Sequence, residues 1–222
     1  MKKLMIFLSM IMLVDRTYAQ KKYYLDPVAI DNSVTVSLPK EFTKTNVNGQ
    51  ESFAANGQYG TMFVIRSMNP ATAKDVKNAD GLDKVFKEYV KKVQNSSGKG
   101  VILEDHDVTM GKLTARDFTL QTDTGSGVQS RHFRLIYTKN ITYTFEYLYD
   151  DVSKDIAAGE MNAFFSSIKT DADMDHTDQY VVSTQSDHSI FTKIIFFGLI
   201  PLALIIGIVI YFKRRDDTMT LT

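Results

Sequence analysis

Residues 103–108, Leu-Glu-Asp-His-Asp-Val, gather Glu104, Asp105, His106 and Asp107, the side-chain types that ligate divalent metals. Strand alternation sends Glu104 and His106 to one face and Asp105 and Asp107 to the other. No more than two of them converge without help from elsewhere, and a metal site needs more. The run therefore reads as charge on an exposed edge strand, where it discourages edge-to-edge pairing. A second acidic run places Asp171, Asp173 and Asp175 at alternating positions, as in the opening of a calcium loop. Such a loop also needs glycine at its sixth place and glutamate at its twelfth, and here these are His176 and Val182. No metal site follows from either run.

Nucleophilic chemistry is equally hard to assemble. The stretch Thr124-Gly125-Ser126-Gly127 partly matches a nucleophile elbow, but Thr124 stands where that motif needs glycine. It also lies between two strand patterns rather than at a strand-to-helix turn, so a hairpin loop is expected. The histidines, His106, His132, His176 and His188, show no triad or cage spacing. A hydrolase would have to use His106 or His132 beside Asp117 or Glu104. The absence of cysteine excludes thiol catalysis, and neither a phosphate-binding glycine loop nor a zinc-protease helix is present. The expectation is a protein that is not an enzyme and carries no cofactor.

The elements that must position these residues come from periodicity. In residues 80–94, Leu82, Val85, Phe86, Tyr89, Val90 and Val93 recur at the spacing of one helical face, with Asp80 as N-cap. Asp83–Lys87 and Glu88–Lys92 are acid-before-base pairs four apart. In residues 151–169, Ala157, Met161, Phe164, Phe165 and Ile168 form another stripe, with Asp151, Ser153 and Asp155 crowding the positive end. Strand patterns occupy 34–38 and 60–68, then 101–110, 112–122, 129–138 and 141–149, joined by short turns that imply antiparallel hairpins. In the last, Ile141, Tyr143, Phe145, Tyr147 and Tyr149 alternate with Thr142, Thr144, Glu146 and Asp150. Phe133, Leu135 and Tyr137 are expected to pack in register with that aromatic face. The predicted fold class is α+β, an antiparallel β-sheet flanked by two amphipathic helices.

The order of these parts, with Ser37-Leu38-Pro39-Lys40-Glu41-Phe42 at the start, Gly111-Lys112-Leu113-Thr114-Ala115 at a turn into a strand, and Phe165-x-Ser167-Ile168-Lys169 at the close, resembles the PsbP-like α/β/α sandwich family over residues 31 to 170. That family includes the lumenal extrinsic protein of photosystem II and many small exported bacterial domains. The resemblance implies a binding or accessory domain. The family shares no catalytic constellation, so no functional residue is carried over, and this chain departs from it by a C-terminal apolar run.

The ends of the chain give the expected topology. Residues 1–19 read as a signal peptide, with a basic start and a short apolar run ending at Ala19. Residues 20–30 form an N-terminal extension, 31–170 the exported domain and 171–190 an acidic flexible tether. Residues 191–212 read as a transmembrane helix. From Ile194 through Phe197, Pro201, Ala203 and Gly207 to Phe212 no side chain is charged, a length of about 28 Å. Lys213, Arg214 and Arg215 then stop transfer and mark the cytoplasmic side of a short tail at 213–222. Ala203 and Gly207 have the spacing that lets two membrane helices approach, which would permit a homodimer. An exported domain without cysteine suits a bacterial periplasm, so a single-pass inner-membrane protein is expected, with its bulk outside the cytoplasm.

Formal net charge is zero, so no basic excess invites nucleic acid. The function read from these features is a non-catalytic accessory module that engages a membrane or periplasmic protein complex. The alternative is a small-molecule or lipid-binding domain; an exported hydrolase stands last.

Overall fold

The computed structural model describes residues 23–70, 75–98 and 100–181. A small three-stranded sheet contains β1 (Asp26–Ala29), β2 (Val34–Leu38) and β10 (Lys169–Thr170). The main sheet has seven strands in the order β3-β4-β5-β9-β8-β7-β6. These are β3 (Phe42–Val47), β4 (Gln50–Asn56), β5 (Thr61–Met68), β6 (Val101–Met110), β7 (Leu113–Asp123), β8 (Val128–Tyr137) and β9 (Ile141–Asp150). Every pairing is antiparallel.

Two helices cover opposite faces. Helix α1 (Ala79–Ser96) buries Leu82, Phe86 and Val90 against Phe118, Leu120, Phe133 and Leu135. Helix α2 (Lys154–Ser166), entered through a short 3-10 turn at Asp151–Ser153, packs Ala157, Phe164 and Phe165 with the β9 aromatics and with Val34 and Val36 of the small sheet. Asp31 ties the two sheets together: its carboxylate accepts from Arg66 Nε at 2.8 Å and from the Tyr143 hydroxyl at 2.7 Å.

Several expectations change. The cap of α1 is Asn78, whose Oδ1 accepts from Gly81 N at 2.9 Å, so the helix starts earlier than an Asp80 cap allows. The hairpin β3–β4 was absent from the strand pattern. It turns at Asn48-Gly49, with φ of 53° and 79°, the left-handed pair that a two-residue hairpin demands. Phe133 and Leu135 do not share the aromatic face of β9. They lie opposite Glu146 and Thr144, and both belong to the α1 side. The polar edge of β9 is therefore covered as well: Glu146 and Thr144 are both buried.

Folded structure also passes the expected boundaries of 31 and 170. Within the N-terminal extension, β1 pairs with β2. At the other end, residues of the expected tether fold back as α3 (His176–Gln179). Gln179 is fully buried, accepting from Thr114 N at 2.9 Å and donating to the carbonyls of Thr114 at 2.7 Å and Tyr137 at 3.0 Å.

Candidate functional site

The α1 face of the sheet carries an unusual concentration of buried polar groups. Tyr89 reaches from α1 to β9, where its hydroxyl lies 2.9 Å from Thr144 Oγ1. Beside it Arg131 of β8 donates from Nε to Glu146 Oε1 at 2.6 Å, and its guanidinium carbon lies 5.2 Å from the Phe133 ring centre. Burial opposes the Arg131 charge, but the adjacent Glu146 outweighs it and raises the pKa. Burial likewise pushes the Tyr89 hydroxyl up to about 12.

This ion pair uses one arm of each partner. Among the described residues Arg131 Nη2 and Glu146 Oε2 have no hydrogen-bond partner, and neither have Gln50 Nε2 and Ser52 Oγ. Register places all four side chains on one face: Ser52 aligns through Ile65 with Thr144, and Gln50 through Ser67 with Thr142. Buried polar atoms in native proteins are normally satisfied, so four on one face is a departure that calls for a reason. Gln50 Nε2 and Arg131 Nη2 are donors that need an acceptor, Ser52 Oγ can donate or accept, and Glu146 Oε2 needs a donor.

The opposite face holds the group nearest to a hydrolytic arrangement. Asp117 accepts a side-on fork from Arg134, Nε to Oδ1 at 2.7 Å and Nη2 to Oδ2 at 2.6 Å. His132 Nε2 is 3.9 Å from Asp117 Oδ2, and His132 Nδ1 shares a 2.8 Å hydrogen bond with Thr119 Oγ1. The structure thus brings together His132 and Asp117, one of the pairings named from sequence. Burial alone would raise the Asp117 pKa, yet Arg134 and His132 hold it below the ordinary carboxylate range. A separation of 3.9 Å is too long for the orienting bond of a triad. Thr119 is buried in the sheet. Arg134 also donates to the Phe165 carbonyl at 3.2 Å, so this cluster clamps the C-terminal turn of α2 to the sheet.

The other candidates are engaged in the fold. The acidic run lies on edge strand β6, where a bulge between Leu103 and His106 puts Glu104 at φ 55°. That bulge breaks simple alternation. Asp105 and Asp107 bond Arg116 at 2.5 and 2.8 Å and raise its pKa, Asp105 most, and Asp83 of α1 lies 3.7 Å away. The exposed His106 ring bonds the Glu104 carbonyl at 2.7 Å. Among the described residues no group of three His, Cys, Asp or Glu is placed to hold a metal ion. Asp171 accepts from Asp173 N at 3.0 Å, and Asp175 caps α3 in a reciprocal box with Asp178. His176 stacks on Tyr180. Ser126 sits in an exposed hairpin loop, 3.0 Å from Thr124 Oγ1.

Sequence reasoning missed Glu160 altogether. Its buried carboxylate accepts from Gln58 N at 2.7 Å, Tyr59 N at 2.9 Å and the Tyr147 hydroxyl at 2.6 Å, docking α2 onto the β4–β5 turn. A charged residue between Ala157 and Phe164 on the apolar stripe was the available signal. His188 and the expected membrane set Ile194, Phe197, Pro201, Ala203, Gly207, Phe212, Lys213, Arg214 and Arg215 lie outside the described residues, as do residues 1–19, the expected signal peptide. Among the described residues no helix is long and apolar enough to cross a membrane.

No family model and no curated protein matches the chain. Solved structures do. Cyanobacterial PsbP (CyanoP) from Synechocystis sp. PCC 6803 is similar with a TM-score of 0.52 at 14% identity, over 72% of this chain and 99% of that one. The domain has a PsbP-like fold. LpqN of Mycobacterium tuberculosis, described as involved in cell envelope biogenesis, aligns at a TM-score of 0.46 and 10% identity, over 67% of this chain and 92% of its own. At such identities the PsbP-like likeness speaks for architecture alone.

Proposed function

We propose that the chain is a single-pass, membrane-anchored extracytoplasmic accessory module that engages a membrane or periplasmic protein complex without catalysing a reaction. The observation that carries this reading is that the clusters best suited to chemistry are consumed by the fold. Asp117 is forked by Arg134, while Asp105 and Asp107 hold Arg116. The PsbP-like fold and the apolar run at 194–212, followed by basic residues, support the same reading. Ala203 and Gly207 would let the membrane helix pair with a second copy. Cross-linking in intact membranes with mass spectrometry tests the proposal. A reproducible membrane-protein partner is expected; self-cross-links alone, or none, would defeat it.

A specific observation favours one second reading, a small polar ligand on the α1 face. The unpartnered Gln50 and Ser52 atoms, two residues apart on β4, would be met by a molecule bearing hydroxyl or amide groups. Native mass spectrometry of the full chain released from membranes distinguishes the readings. A co-purifying small molecule lost on Ser52→Ala supports the ligand, and an unmodified mass removes it.

A further inference from the structure

The chain leaves the described domain at a fixed place. Lys139 N donates to the Asp178 carbonyl at 2.7 Å, Gln179 plugs the Thr114–Tyr137 gap, and Val181 N donates to the Val76 carbonyl at 2.7 Å. Tyr180 packs with Val76, Leu82 and Leu135. All these contacts lie at one end of the main sheet, where β8 meets β9 through Thr138–Asn140 and β6 meets β7 at Gly111. The Thr124–Gly127 loop lies at the other end of β8, whose ten residues span about 33 Å.

We infer that residues 171–181 are a strap that holds the domain end-on to the bilayer, with the Gly111 and Lys139 turns toward the lipid and the Thr124–Gly127 loop pointing away. The inference rests on the membrane-anchor reading above and deepens it. As a free tether, residues 171–190 would reach about 70 Å when extended. Docking through Val181 leaves only residues 182–190, whose reach cannot exceed about 30 Å. That shorter reach is less than the length of the sheet, so a domain tied at one end cannot present its far end to the same membrane without releasing the strap. The lipid-facing end then includes the exposed Val47 and Met68, and the far end remains free for a partner complex.

The chain has no cysteine, so single substitutions report without background. The full chain carrying Lys139→Cys or Ser126→Cys is labelled with a donor dye and reconstituted in phosphatidylcholine vesicles containing a headgroup acceptor. Energy transfer is expected to be at least about threefold greater from position 139, given the length of β8. Adding Gln179→Ala with Val181→Pro, which removes the plug and the Val76 bond, is expected to bring the two positions toward parity. Equal transfer in the vesicle-bound chain overturns the inference, and so does a difference unchanged by the double substitution while circular dichroism stays native. Failure to float with the vesicles overturns the anchor reading itself, and this one with it.

Discussion

Removing the Glu160 carboxylate should cost the domain a large part of its stability. Three donors converge on it at 2.6 to 2.9 Å, two of them backbone N–H groups of the β4–β5 turn. A hydrogen bond to a charged acceptor contributes about 1.5–3 kcal/mol, and an orphaned buried donor costs about 1–3 kcal/mol. Gln58 is exposed, so water can reach its N–H after truncation, whereas the Tyr147 ring is fully buried. The net cost of Glu160→Ala is therefore about 3 kcal/mol, a fall in Tm of about 6–12 °C for a domain of this size. Glu160→Gln keeps the shape but turns an N–H toward the donor of Tyr59, and about 2 kcal/mol is expected. Gly57 supplies an independent check. A Cβ there would lie 2.6 Å from Glu160 Oε2, so Gly57→Ala must displace the carboxylate. Its cost should shrink when Glu160 is already alanine, with a coupling of about 1 kcal/mol in a double-mutant cycle. Urea unfolding of the five proteins measures all of this. If Glu160→Ala and Glu160→Gln each cost less than about 0.5 kcal/mol, the carboxylate does not dock α2 and the reasoning fails.

Asp117 is held below the ordinary carboxylate range, so its contribution is full above the unfolded pKa and is lost as pH falls through the lower folded value. Urea midpoints measured down to about pH 3 should fall less steeply for Asp117→Asn than for the unaltered chain. On the α1 face, Arg131→Met should destabilise by about 3 kcal/mol because it strands the fully buried Glu146, while Arg131→Met with Glu146→Leu should recover most of that loss in denaturant titrations. Gly49→Ala, at a φ of 79°, should lower stability by about 1 kcal/mol, read as a shift in the urea midpoint without a change in slope.

Period and punctuation carried much of the architecture. The 3.6-residue stripe of Leu82, Phe86 and Val90 and the alternation of Tyr143, Phe145 and Tyr147 are local patterns, and each element formed where its pattern lay. The hairpin at Asn48-Gly49 went unread, because its signal lies in the turn residues alone and its flanking strands alternate too weakly to announce a buried face; β3 is exposed along its whole length. The acidic runs were misleading in a different way. Whether carboxylates bind a metal, cap a helix or surround an arginine depends on what faces them, and Arg116, Thr177 and the backbone of α3 supplied the partners here.

From the sequence alone came the helical faces, most strands, their antiparallel order and the apolar and basic signals at the chain ends, because these follow from neighbours in the chain. Only the tertiary structure decided that Glu146 is buried beside Arg131, that Glu160 closes a turn 101 residues away, and that Gln179 ties the expected tether to β7 and β8. Those contacts join residues far apart in sequence, where the side-chain chemistry permits many partners and only packing in three dimensions chooses among them.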